Sequence, residues 1–182
     1  MPPRARPIQP SELIELAYEL AGRDHGRGRP KTVRLRRGVS TAYYGLFHQL
    51  SHHAALVLLG GAAGGGAEAA VARWISHTSL QKLCMACTNT ATGPARSALT
   101  TALGVLDQRV VDIAAAFLEL QDARESADYD DEWPVSKAQA LRYVRQADRA
   151  TQACVALYDA DESSYLRFLR LAMGSTFIAK NR

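Results

Sequence analysis

What this chain lacks narrows it first. It has no run of about 18 apolar residues, the length a membrane-spanning helix needs, so neither a span nor a membrane partner is expected. The opening residues, Met1-Pro-Pro-Arg4-Ala-Arg6-Pro7, hold no apolar stretch of the secretion-signal kind. Cysteine is scarce, and the three present, Cys84, Cys87 and Cys154, are too few and odd in number for a disulfide framework. These absences together predict a cytoplasmic protein in a reducing compartment. β-Branched residues are sparse, and no window alternates apolar and polar residues as a half-buried strand would.

What is present is helical material. Alanine and leucine dominate, and the balance of 47% hydrophobic to 22% charged residues is that of an ordinary globular chain. The 182 residues suit one domain, 1–182, with its core at about 11–160 and tails at 1–10 and 174–182 expected to fray. The net charge of +4 is unevenly placed. Nine Lys/Arg (Arg4, Arg6, Arg23, Arg27, Arg29, Lys31, Arg34, Arg36, Arg37) lie within residues 1–37 against four acids (Glu12, Glu15, Glu19, Asp24). Such a leading segment can attract an anionic partner, RNA among them, or be a solvated basic loop; its single aromatic, Tyr18, makes no interleaved platform to stack bases.

Periodicity and breakers predict the helices. Pro10 and Ser11 open a first one that Gly22 stops. A second runs from about Val33 to Leu59 on a stripe of Val39, Tyr43, Leu46 or Phe47, Leu50, Ala54 and Val57. The glycine-rich run 60–66 is a connection, a third helix spans roughly 67–87, and 89–94 is a loop. Residues 97–127 carry the most sustained seam: Leu99, Leu103, Leu106, Val110, Ile113, Phe117 and Leu120, with Gly104 a possible break. After a turn at 130–134, Ser136 and Gln139 make a capping-box pair opening a fifth helix to about Asp159, with Leu141, Val144, Ala147, Cys154 and Leu157 inward. A sixth covers 161–173. The expected fold is all-α, an antiparallel bundle of four to five long helices, with the first helix and the tail packed outside.

Two polar features interrupt these stripes. Four residues beyond Leu120 the seam reaches Arg124, with Asp128 four further on and Tyr129 next. A guanidinium on a core-facing stripe is costly unless paired, so the plain structural reading is an Arg124–Asp128 ion pair at the helix end. The functional reading is an arginine held at a cleft to bind phosphate. On the second helix Arg37, Ser40, Tyr44, His48 and His52 fall at steps of three and four, so they share one face. Such a row can move protons near neutral pH or can satisfy itself across a helix–helix contact.

Cys84-Met-Ala-Cys87 has the spacing of half a zinc site but no second pair, so packed thiols are its commoner meaning. His48 and His52 could share a divalent metal, yet no carboxylate third ligand is evident, and no metal is expected. The glycine run lacks the Gly-Lys-Ser/Thr ending of a phosphate loop; no serine-nucleophile elbow and no cofactor fingerprint occurs, so no cofactor is expected.

The segment Arg37-Gly-Val-Ser40-Thr-Ala-Tyr43-Tyr44-Gly-Leu-Phe47-His48 resembles the leading helix of HEPN domains. Ser76-His77-Thr78, and after a long spacer Arg124-Glu-Ser-Ala127-Asp128-Tyr129-Asp130, resemble the later part of one HEPN branch with an R-x-x-A-D-Y element. The resemblance spans about residues 11–160. It implies a helical bundle that commonly dimerises, sits in prokaryotic defence or toxin–antitoxin systems, and acts on RNA or pairs with a nucleotidyltransferase. Ribonuclease members carry R-x4–6-H, and this chain departs from that: Tyr129, Asp130 and Asp131 stand where the histidine would follow Arg124. No histidine (25, 48, 52, 53, 77) has an arginine at the required distance before it, so the histidine role is empty or falls to His48 or His77 from another helix. Two readings follow from the resemblance. In one the protein is a metal-independent endoribonuclease with a degenerate motif: Arg124 would hold the phosphate, His48 or Tyr129 would move protons, and Arg37, Ser40, Tyr44 and Asp128 would line the site. In the other it is a non-catalytic module that binds a partner protein such as a nucleotidyltransferase.

Overall fold

The computed structural model describes residues 8–23, 30–61, 66–90 and 95–180. Among the described residues it is all-helical, in eight helices: α1 Pro10–Ala21, α2 Thr32–Leu58, α3 Ala67–Ala72, α4 His77–Cys87, α5 Ala95–Leu103, α6 Gln108–Tyr129, α7 Lys137–Asp159 and α8 Ser163–Lys180. No described helix is long and apolar enough to cross a membrane. Arg4, Arg6, Arg27, Arg29, Asp24 and residues 62–65 and 91–94 lie outside the described residues.

The 27-residue α2, about 40 Å long, is the central element. Helices α1, α3, α6, α7 and α8 all pack against it. Its expected stripe is inside: Val39, Leu46 and Ala54 are fully buried, and Tyr43 and Leu50 nearly so, while Val57 is only partly covered. Two glycines set the approach of α1. A Cβ on Gly38 would stand 3.2 Å from the Ala17 carbonyl oxygen, and one on Gly45 would stand 2.6 Å from Ile14 Cδ1. Seven residues apart, they present a bare backbone ridge on which Ala17 and Ala21 become fully buried. Helix α1 stops as predicted, with Gly22 at φ 83°.

Helix α7 begins on the predicted capping box, both halves of which form: Gln139 N donates to Ser136 Oγ, and Ser136 N donates to Gln139 Oε1. Its Val144, Ala147, Cys154 and Leu157 are buried, and Leu141 is half-buried.

Two expectations are corrected and one alternative is decided. The helix predicted over 67–87 is two, because the chain turns at 73–76 and Ser76 caps a new helix, its hydroxyl accepting from Ser79 N. The stretch 97–127, in which the sequence allowed a break at Gly104, does break there into two helices. Gly104 takes φ 60°, and Asp107 caps α6 by accepting from Arg109 N. The seam therefore belongs to α5 and its linker as far as Leu106 and to α6 from Val110. Lastly, the final helix does not end at 173: α8 runs to Lys180, and its Tyr165, Phe168 and Leu169 are fully buried, which carries the core past residue 160.

Cys84, Cys87 and Cys154 are free, buried thiols. Burial pushes all three up in pKa, Cys87 to about 12, which leaves them protonated and unreactive near neutrality.

Candidate functional site

The polar features of the two stripes meet at the C-terminal end of α6. A helix ends with carbonyls that have no partner within it. Here one arginine of α2 supplies the donors. Arg36 Nε donates to Ala127 O at 2.8 Å and Nη1 to Asp131 O at 3.0 Å, while Nη2 reaches the Asp130 carbonyl and, at 3.5 Å, that of Ser126. A cation at this end is also favoured by the helix dipole.

One position on, Arg37 starts a second set of contacts. Its Nη1 lies 3.3 Å from Asp128 Oδ1, and Ser40 Oγ donates to Asp128 Oδ2 at 3.2 Å. Asp128 also takes Arg124 from its own helix, with Nε 3.0 Å from Oδ2. That N–H is not aimed at the carboxylate, so the Arg124–Asp128 contact is an ion pair rather than a hydrogen bond. The Arg124 side chain is 20% exposed and that of Asp128 14%.

Arg124 gives Nη2 to the Tyr44 hydroxyl at 3.0 Å. Its guanidinium carbon stands 5.7 Å from the Tyr44 ring centre and 5.5 Å from that of the exposed Tyr129. Burial works against its charge, but the Tyr44 hydrogen bond and the Asp128 carboxylate outweigh it and hold Arg124 firmly protonated.

A histidine completes the cluster from a third helix. His77, the first residue of α4, stacks on Phe47 with ring centres 3.9 Å apart, and its Nδ1 is 2.6 Å from the Tyr43 hydroxyl. Burial raises the Tyr43 pKa and keeps it a phenol, so the natural assignment has Tyr43 donating to Nδ1 and the proton of His77 on Nε2. Burial, the Arg124 charge and His48 all lower the His77 pKa. Near neutrality it is an uncharged imidazole beside a fixed cation.

Of the residues the sequence singled out, Arg37, Ser40, Tyr44, Arg124, Asp128 and Tyr129 come together here. His48 lies beside the cluster: its ring sits edge-on to Phe47 at 5.9 Å, burial lowers its pKa, and among the described residues it makes no hydrogen bond or ion pair. His52 leaves the row altogether and pairs through Nδ1 with Glu68 of α3, a carboxylate the sequence had not connected with it. Arg36 and Tyr43 were missed. Tyr43 read only as core, and nothing in the spacing distinguishes Arg36 from its neighbours; the sole sequence signal was that a helix end at Tyr129 needs cationic or donor partners.

No protein-family model, characterised protein or solved structure matches this chain.

Proposed function

We propose that the chain is a HEPN-like module of a prokaryotic defence or toxin–antitoxin type system, that it acts by binding a partner protein such as a nucleotidyltransferase, and that the Arg124 centre is an internal clamp. One observation carries this: Asp128 takes Arg124, Arg37 and Ser40 at once, while Arg124 Nη2 donates to the Tyr44 hydroxyl. A phosphate would have to displace a carboxylate that three groups already hold. Asp128 offsets part of the positive charge such a site needs, and no motif histidine follows Arg124 in sequence.

A second reading keeps a metal-independent endoribonuclease, and His77 is what favours it. The imidazole that the R-x-x-A-D-Y element lacks reaches the same cluster from α4, close enough for the Arg124 charge to lower its pKa. Arg124 would then steady a phosphate, with His77, His48 or the exposed Tyr129 exchanging protons at the 2′-hydroxyl and leaving oxygen.

The test is incubation of the purified chain with total RNA in EDTA, beside an Arg124→Ala variant shown by circular dichroism to be folded. The clamp reading expects intact RNA in both. Cleavage by the wild type alone overturns it in favour of the nuclease.

A further inference from the structure

The antiparallel hairpin of α6 and α7 has an open flank, a groove of about 640 Å³. Its floor is Ile113, Ala115, Ala116, Ala150 and Ala153, and its rims carry Arg109, Arg142, Arg145 and Arg149 against Asp112 and Glu119. These charges sum to +2. They are also unequally engaged. Glu119 is held by Arg142 at 2.8 Å and by Gln146 at 2.6 Å, and Arg109 is folded back on Asp107 at 2.7 Å. Arg145 and Arg149 are exposed and have no carboxylate partner among the described residues.

The geometry points to a docking seat for one acidic, amphipathic helix of a partner protein. Resting on the partner-binding reading above, this names the partner's chemistry. Three features select that occupant. An alanine floor lets a third helix axis come within about 8–10 Å of both α6 and α7. The two unpaired arginines are an i, i+4 pair, about 5–6 Å apart, which is the spacing of an Asp/Glu i, i+4 pair on a facing helix. The floor is apolar and the lining contains no aromatic side chain, so a helix with a small-residue face buries it, whereas a nucleic-acid strand would leave it wet and find nothing to stack on.

The experiment uses the full chain and fluorescence anisotropy at low salt. The probe is a labelled 20-residue helical peptide with an Ala/Leu face flanked by two Glu pairs spaced four apart. Its companions are the same peptide with Lys for Glu, and a labelled single-stranded RNA. We expect the Glu peptide to bind the wild type and to bind at least tenfold more weakly to Arg145→Glu/Arg149→Glu, which should instead prefer the Lys peptide. Ala115→Trp, which fills the groove from an exposed position and leaves the charges alone, should weaken the Glu peptide to a similar degree. The proposal is overturned if the Glu peptide does not bind, if Ala115→Trp leaves binding unchanged, or if RNA binds more tightly with the same arginine dependence. None of these outcomes depends on whether total RNA is cleaved, so the groove and the clamp stand or fall separately.

Discussion

The two halves of α6 treat arginine in opposite ways. At the C-terminal end, Arg36, Arg37 and Arg124 are each committed: to four carbonyl oxygens, to Asp128, and to Asp128 with Tyr44. Along the groove, Arg142 is held by Glu119 at 2.8 Å but stays about half exposed, and Arg145 and Arg149 have no carboxylate partner among the described residues. The difference is one of geometry. The helix end offers carbonyls that must be satisfied and a carboxylate pinned by Ser40, so fixing a guanidinium there replaces a deficit. On the open flank both ions are already hydrated, and pairing gains little over water. Cationic residues thus knit the protein together in the first region and remain available in the second.

The sharpest way to break this contrast is Asp128→Ala. It leaves Arg124, four-fifths buried, without its counter-ion and removes the acceptor of Arg37 and Ser40. We expect a loss of about 2 kcal/mol and a fall in Tm of roughly 4–8 °C, measured by denaturant and thermal unfolding. A loss no larger than that of an exposed pair would mean that the clamp does not hold the helix end.

A smaller effect tests how far the clamp's charge reaches. Burial, Arg124 and His48 lower the His77 pKa. An Arg124→Gln variant should raise it towards the ordinary histidine value, while Arg142→Gln in the groove should leave it unmoved; NMR titration of the imidazole reads both. The linkage sign follows from the same shift. His77 binds its proton less well folded than unfolded, so its contribution is intact above the unfolded pKa near 6.5 and declines as pH falls through the folded value. His53 adds to the decline, since burial and His52 lower its pKa to about 4.

The smallest expected effect belongs to the groove. Arg142 and Glu119 are both about half exposed, so Arg142→Ala should change stability by no more than about 0.5 kcal/mol. A loss approaching that of Asp128→Ala would erase the distinction between the two halves.

How much of this was legible beforehand differs residue by residue. The pairing of Arg124 with Asp128 could be read, because four residues on one helix fix their own neighbourhood. That Arg37, Ser40 and Tyr44 share a face was equally local. That the face is turned to the end of α6 was not, since those contacts span some 80 to 90 residues of chain. His52 shows the converse: it obeys the spacing of the row, yet the chain folds Glu68 back onto it and draws it elsewhere. The missed helix break at 73–76 has a local cause, Ser76, but apolar residues on both sides continued the period and masked it, whereas the break at Gly104 was visible as a glycine within the seam.

The sequence by itself determined the helical class, the stop at Gly22, the capping box at Ser136, the inward stripes of α2, α6 and α7, and the ion pair within α6. All of these follow from interactions among residues a few positions apart, which backbone geometry places for any sequence with that spacing. Only the tertiary structure decided that α8 enters the core, that Gly38 and Gly45 let α1 lie close on α2, that Arg36 closes the end of α6, and that His77 arrives beside Arg124. Those outcomes depend on which surfaces exclude water together and on which distant donor meets an unsatisfied acceptor, and no local period encodes either.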